Sequence, residues 1–251
     1  MSAPVMLVTG GSRGIGAATA RLAAECGYHV VVNYMSDAAA AEFVVGDIIA
    51  DGGKAYAVRA DISDENAILA MYDELDGRLG RLDVLVNNAG IVDEVARLED
   101  MSAERLHRMF DVNVIGSMLC AREAVSRMSV NHGGRGGAIV NVSSASARIG
   151  SPAQYIDYAA AKGAIDTFTM ALAKEVVADR IRVNAVRPGI IDTDIHASGG
   201  DPDRVARVGA SLPMGRAGTA DEVARAILWL ASDAASYTTG AVVDVSGGRA
   251  I

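Results

Sequence analysis

With 251 residues, 51% of them hydrophobic but only 4% aromatic, the chain can bury a large core, and Ala, Val, Ile and Leu must fill it. A formal net charge of −8 with no Lys/Arg cluster argues against nucleic acid or an anionic membrane as the main partner. No run of 18 apolar residues is present, so no membrane span is expected, and no basic region precedes a long apolar stretch, so no secretory leader is expected. Cys26 and Cys120 have no metal-binding or redox spacing. They are expected as buried free thiols in the reducing cytoplasm, with no metal site.

In chain order, Val5 to Thr9 is a short apolar strand that runs into Gly10-Gly11-Ser12-Arg13-Gly14-Ile15-Gly16. An alanine-rich helix follows to about Glu25 and ends at Gly27. Further strands are expected at Tyr28–Asn33, Ala55–Ala60, Val84–Val86, Ala138–Val142, Ile181–Val186 and Ala241–Val245. Helices are expected at 38–50, from Asp64 to about Leu79, from Tyr158 to about Ala178, and at 220–231. Ser102 to about Val130 reads as one long helix with Ser102 as its N-cap, followed by a mobile glycine-rich loop at 132–137. Strands that alternate with helices and are themselves continuous apolar runs call for a parallel sheet covered on both faces. The expected fold is a single-domain, doubly wound (Rossmann) sheet of about seven strands over residues 1–251. Residues 190–213 lack a clear strand and form either a flap over the site or a plain surface excursion.

Two stretches carry chemistry. Gly10, Gly14 and Gly16 lie between the first strand and the first helix, where a tight turn needs positive φ and close backbone approach. The free N–H groups of the following helix then suit a phosphate. The spacing is one residue wider than the usual dinucleotide fingerprint, and a purely structural turn is the competing reading. At the end of the second strand, Asn33-Tyr34-Met35-Ser36 offers no acid for a ribose 2′-OH before Asp37. Arg13 could pair with a 2′-phosphate, or be a solvated loop charge. These residues favour NADP over NAD, with Asp37 as the route to NAD.

The second stretch is Tyr158-Ala-Ala-Ala-Lys162, which opens a long helix and places Tyr158 and Lys162 one turn apart on one face. An ammonium beside a phenol lowers the phenol's pKa from about 10, so that the tyrosine can trade a proton with a substrate oxygen. By itself the pair is also what chance could place on a solvated helix face.

In Thr9-Gly10-x3-Gly14-Ile15-Gly16, Asn87-Asn88-Ala89-Gly90, Asn113, Ser144, Tyr158-x3-Lys162 and Pro188-Gly189-x3-Thr193, taken in this order, the chain resembles the classical short-chain dehydrogenase/reductase family over nearly its whole length. The tract 139–144, with Tyr155-Ile-Asp-Tyr158 and Arg187-Pro-Gly189, looks most like glucose 1-dehydrogenase-like members, which does not establish a sugar substrate. The resemblance implies hydride transfer between a nicotinamide dinucleotide and a small-molecule carbonyl/alcohol pair. It implies Tyr158 as general acid/base, Lys162 lowering its pKa and bonding the nicotinamide ribose, and Ser144 holding the substrate oxygen. Asn113 would hold a water in a proton relay, or else be a satisfied core amide. Asp61 and Ile62 would flank the adenine, Asn88, Ala89 and Gly90 the adenosine ribose, and Pro188, Gly189, Ile191 and Thr193 the nicotinamide and its phosphate.

Ser144 precedes Tyr158 by 14 residues where many relatives have 13, which reads as an insertion in the 148–154 loop and leaves Ser143 and Ser146 as alternatives. Tyr155 has no lysine four residues on and is expected as a pocket wall. The flap, Val92–Val95 and the 148–154 loop would shape the substrate pocket. Flap residues His196, Arg204 and Arg207 would meet a polar or acidic substrate or be solvated. Two long central helices suggest a homo-oligomer, as a homotetramer in keeping with the family. The competing functions are a non-catalytic cofactor-binding regulator and a non-redox enzyme on the same fold.

Overall fold

Each central strand is apolar on both faces because each face has its own layer of helices. The computed structural model describes residues 3–250. In β1 (Val5–Val8), Met6 and Val8 point into one core, whereas Val5 and Leu7 point into the other. The same two-residue alternation recurs at Val30, Val31 and Val32 of β2 (His29–Tyr34) and at Val84, Leu85 and Val86 of β4 (Val84–Asn87). The first core is closed by α1 (Gly14–Glu25), α2 (Ala38–Ala50) and α10 (Ala220–Ala231). The second is closed by α3 (Glu65–Leu79), α5 (Ser117–Met128) and α7 (Ile156–Val176). The small alanine faces of α1 and α5, at Ala17, Ala20, Ala23, Ala121 and Ala124, let these helices lie close to the sheet.

With β3 (Lys54–Arg59), β5 (Gly137–Val142), β6 (Ile181–Pro188) and β7 (Val242–Val245), the sheet has seven strands in the order β3-β2-β1-β4-β5-β6-β7. Every pairing is parallel, as in the doubly wound architecture expected from the sequence. The strand order reverses between β1 and β4, and such a reversal opens a crevice at the carboxyl ends of the strands. No helix among the described residues is long and apolar enough to cross a membrane.

Three local expectations are corrected. The helix expected over 102–130 is broken into α4 (Ala103–Phe110), a π-helical turn at Asp111–Gly116, and α5. Ser102 does cap its start, accepting a bond from the Arg105 N–H at 3.1 Å. Gly116 lets the widened turn pass against the Ile62 carbonyl, where a Cβ would overlap it. The loop after α5 is also held more tightly than a mobile linker. Gly134 and Gly136 donate to the carbonyls of Ser129 (2.9 Å) and Met128 (2.8 Å), and Gly137 donates to that of Arg180 (3.0 Å). Finally, Cys120 is a buried free thiol, but Cys26 follows the last turn of α1 and is exposed.

Between the end of β6 and α10, the stretch from 190 to 213 carries α8 (Ile195–Ser198) and α9 (Arg204–Val208). The short α6 (Ser146–Ile149) follows β5.

Candidate active site

The crevice is built first from the glycine turn. Gly10 and Gly14 adopt φ of 59° and 52°, a left-handed backbone that glycine takes without penalty. A side chain on Gly10 would meet Ala89 Cα at 2.9 Å, and one on Gly16 would overlap the Gly10 carbonyl and the Asn88 amide. Asn88 locks the turn by donating to the carbonyls of Thr9 and Gly10, both at 2.9 Å. Thr9 Oγ1 accepts from the N–H groups of Asn88 and Ala89 at 3.0 Å. Buried Asn33 completes the lock: its Oδ1 accepts from Gly10 N–H at 3.2 Å and its Nδ2 donates to the Ala60 carbonyl at 3.1 Å. Asn33 and Asn88 thus act first as braces of the turn.

The amino end of α1 is open. No acidic residue occupies its first turn, and Arg13, at the N-cap, makes no side-chain capping bond. Ser12, Arg13 and Gly14 face a groove alongside α1, and Arg13 is exposed. At the end of β2, Ser36 is exposed and Asp37 is the N-cap of α2, accepting from Ala40 N–H at 2.9 Å. Asp61 is half-buried and accepts from Ser63, while Ile62 is buried in the core.

A pocket of about 120 Å³ opens where the crevice meets β5, β6 and α7. It gathers Ile15, Asn88, Gly90, Ser144, Tyr158, Lys162, Pro188, Gly189, Ile191 and Thr193 from the residues singled out in the sequence. Tyr158 is the third residue of α7 and lines the pocket together with Ser144, which favours its phenolate. Ser143 and Ser146 also line the pocket, but their hydroxyls are engaged. Ser143 donates to the Lys162 carbonyl at 3.2 Å, and Ser146 Oγ accepts from Ser151 at 3.0 Å. Lys162 is buried, with Nζ 5.6 Å from the Tyr158 ring centroid and donating to the Val142 carbonyl at 2.8 Å.

Burial, rather than the lysine to which the sequence pointed, dominates the electrostatics at Tyr158. Burial pushes the Tyr158 hydroxyl up to about 12, with only Ser144 pulling it down. Burial likewise brings the Lys162 ammonium down to about 8, and Asp166, one turn on, offsets part of that. Tyr158 is therefore held protonated near neutrality.

Asn113 sits in the π turn, fully buried, behind the pocket wall. Its Oδ1 accepts from Ile91 N–H at 3.2 Å, and its Nδ2 donates to the carbonyls of Ile91 (3.1 Å) and Met109 (3.0 Å). The side chain is thus a satisfied amide. Gly90 lies between it and Lys162, where a Cβ would stand 2.6 Å from Asn113 Oδ1 and 3.4 Å from Lys162 Nζ.

The pocket roof joins three segments. Tyr155 Oη donates to the Gly199 carbonyl at 3.4 Å, as a wall residue would. Arg204 is buried, donates to Gln154 Oε1 at 2.9 Å and pairs with Asp201 at 3.4 Å. Arg207 is exposed and pairs with the same Asp201, and the His196 side chain lies outside the described residues. Ser151 and Ala153 take φ of 43° and 54°, so the loop that presents Gln154 holds two non-glycine residues in the left-handed region. Such residues cost on the order of 1 kcal/mol each.

Sequence reasoning missed several contributors. Arg105 of α4 pairs with the wholly buried carboxylate of Asp157 at 2.8 Å and donates to the Glu94 carbonyl at 2.8 Å, fixing the residue before Tyr158. Arg249, near the carboxyl end of the chain, lines the pocket. Arg59 donates from Nε to the Met35 carbonyl at 3.1 Å, which sets its guanidinium beside the end of β2. These partners lie far apart in sequence, and no local spacing announces them.

The family model described as enoyl-(acyl carrier protein) reductase matches residues 10–250. The chain is 56% identical over 245 residues to the uncharacterized oxidoreductase YgfF of Escherichia coli K12, covering 98% of this chain and 99% of that one. It is 40% identical over 250 residues to a 3-oxoacyl-[acyl-carrier-protein] reductase of a Synechocystis species, covering 99% and 97%. The crystal structure of a short-chain type dehydrogenase/reductase from Mycobacterium marinum superposes with a TM-score of 0.92 at 37% identity, covering 99% of this chain and 96% of that one. The sheet order, the glycine turn and these likenesses agree: the chain belongs to the classical short-chain dehydrogenase/reductase family and is an oxidoreductase.

Proposed function

We propose that this oxidoreductase interconverts a carbonyl and an alcohol with NADP(H), using Tyr158 as the general acid/base. The observation that carries the reading is the meeting of Tyr158, Ser144 and Lys162 in one pocket that continues the crevice from the glycine turn. The residues present fit a dinucleotide. The turn has no room for side chains, and the uncapped amino end of α1 leaves N–H groups for a pyrophosphate. Gly10, Ser12, Gly14, Ile15 and Gly16 would hold the phosphates, with Asp61, Ile62 and Asn88–Gly90 on the adenosine side. Pro188, Gly189, Ile191 and Thr193 would border the nicotinamide. When bound, the dinucleotide gives or takes the hydride.

The protein's own part is positioning and the proton. Ser144 and Tyr158 both donate to the substrate oxygen, and Tyr158 gives its proton as the carbonyl becomes an alkoxide. Lys162 places a cation against the phenol ring and stabilises the phenolate that remains. The side chain of Asn113 is committed and its backbone carbonyl already accepts from Ser117 Oγ at 3.3 Å, so we assign Asn113 a positioning role. Residues 190–213 act as the flap over this pocket. Exposed apolar residues on the central helices, among them Ile115, Met118 and Met170, support a homotetramer.

For the cofactor, Arg59 lies beside the end of β2 and Arg13 faces the groove between α1 and α2, while Asn33, Tyr34 and Ser36 supply no carboxylate and Asp37 is engaged as a cap. That pair of cations supports the phosphorylated dinucleotide. The test is a fluorescence titration with NADPH and NADH, followed by a panel of ketones, aldehydes and sugars read at the reduced-cofactor absorbance. NADPH should bind more tightly, and Arg13→Ala or Arg59→Ala should each remove about tenfold of that preference, the scale of one charge-assisted bond near 1.4 kcal/mol. Tighter NADH binding would overturn the preference, and binding without any turnover would make the protein a non-catalytic sensor.

A further inference from the structure

The chain carries a net charge of −8, yet its pocket is cationic. Among the described residues, every charged side chain that lines the pocket is basic: Lys162, Arg204 and Arg249. Lys162 is committed to the Val142 carbonyl beneath Tyr158. The two arginines are different. Arg204 is only 7% exposed and reaches the pocket from the flap, steadied by Gln154 and over the Tyr155 ring at 5.4 Å. Its single acidic partner, Asp201, is shared with Arg207. Arg249 is half-buried, and its guanidinium has no hydrogen bond or acidic partner among the described residues.

Two guanidinium groups facing one cavity repel each other and cannot escape by losing a proton, because arginine stays charged in proteins. Burial and the neighbouring Arg204 charge both disfavour the charged form of Arg249. Holding an unpaired cation partly out of water has a cost that a bound anion removes. A carboxylate matches the planar fork of arginine and can accept two bonds at once.

We propose that Arg204 and Arg249 form an anion subsite of the substrate pocket, and that the substrate is a carbonyl or alcohol compound bearing its own carboxylate. The inference rests on this pocket being the substrate site of the proposed oxidoreductase, and it narrows the substrate class. The flap then has a second use. Through Arg204 it brings one half of the subsite over the pocket.

The test uses three keto acids, 4-oxopentanoate, 5-oxohexanoate and 4-oxocyclohexanecarboxylate, and their methyl esters. Binding is read by calorimetry on the whole protein, alone and saturated with NADP⁺, and turnover is read separately with NADPH. At least one acid should bind about tenfold or more tightly than its ester, the size of one charge-assisted contact. Arg249→Gln loses no side-chain bond seen in the structure, so it should fold and bring the acid-to-ester ratio close to one. Arg204→Lys, which keeps the charge but not the fork, should lose part of the ratio. Equal binding of acids and esters, or an unchanged ratio in Arg249→Gln, overturns the proposal. So does a loss of NADP⁺ affinity in Arg249→Gln with the acid preference intact, which would assign the arginine to the cofactor phosphates. Acid-selective binding with no oxidation of NADPH would leave the subsite standing and refute the redox reading instead.

Discussion

The glycine turn and the flap lie on either side of the same pocket and are built by opposite means. The turn is held by steric exclusion and backbone bonds. Gly10 and Gly16 have no space for a Cβ, and Thr9, Asn33 and Asn88 spend their side chains on main-chain groups. The flap is held by side chains: Arg204 on Gln154, Tyr155 on the Gly199 carbonyl, and Arg207 on Asp201. In the proposed function, a surface that accepts the same dinucleotide in every cycle gains from having one backbone conformation. A roof proposed to admit and release substrate gains from contacts that break one at a time.

A matched pair of glycine substitutions breaks this comparison most directly. At Gly16 an added methyl would overlap the Gly10 carbonyl and push apart the turn. Gly16→Ala should therefore weaken dinucleotide binding by about a hundredfold, roughly 3 kcal/mol, as measured by fluorescence titration. At Gly199 the nearest atom to an added Cβ is Val92 Cγ2 at 2.9 Å, a side-chain methyl that can rotate aside. Gly199→Ala should leave dinucleotide affinity unchanged and raise KM by about threefold, well under 1 kcal/mol. Equal effects at the two glycines would mean that the turn and the flap do not differ as described.

The protonation of the pocket sharpens the account further. Tyr158 is pushed up to about 12, so the proton donor is present throughout the neutral range. Reduction of a carbonyl should be nearly independent of pH from about 6 to 7 and decline from about 8 upward as Lys162 loses its charge. Oxidation of the alcohol needs the phenolate, and it should rise with pH by up to about tenfold per unit until the group titrates. Initial rates in both directions across this range check the signs. A reduction rate that falls on the acid side, with oxidation best below neutrality, would point to a different acid.

Sequence period and motif order made the fold legible. Both apolar faces of each strand, the helix–strand alternation and the glycine spacing are local signals, and they led to the parallel sheet as it stands. The motif residues around Tyr158 also converge on one pocket. What was illegible depended on contacts between distant residues. Nothing near Asn113 signals a π turn, because the amide is drawn inward by Ile91, 22 residues away, as well as by Met109. The sign of the Tyr158 shift could not be read from the Tyr-x3-Lys spacing, because burial of the hydroxyl sets it and the lysine's own bond goes to Val142. Arg249 reaches the pocket from the far end of the chain, and Arg105 reaches Asp157 across 52 residues.

The central claim is that the Tyr158 hydroxyl supplies the proton while the rest of the site only binds and orients. Tyr158→Phe removes a single oxygen and leaves the ring beside Lys162. The direct measurement is NADPH affinity and single-turnover NADPH oxidation in wild type and in Tyr158→Phe, with whichever ketone the panel identifies. The account predicts affinity within about threefold and a rate lower by about a thousandfold, within the range that general acid catalysis supplies. A Tyr158→Phe rate within about tenfold of wild type would contradict it.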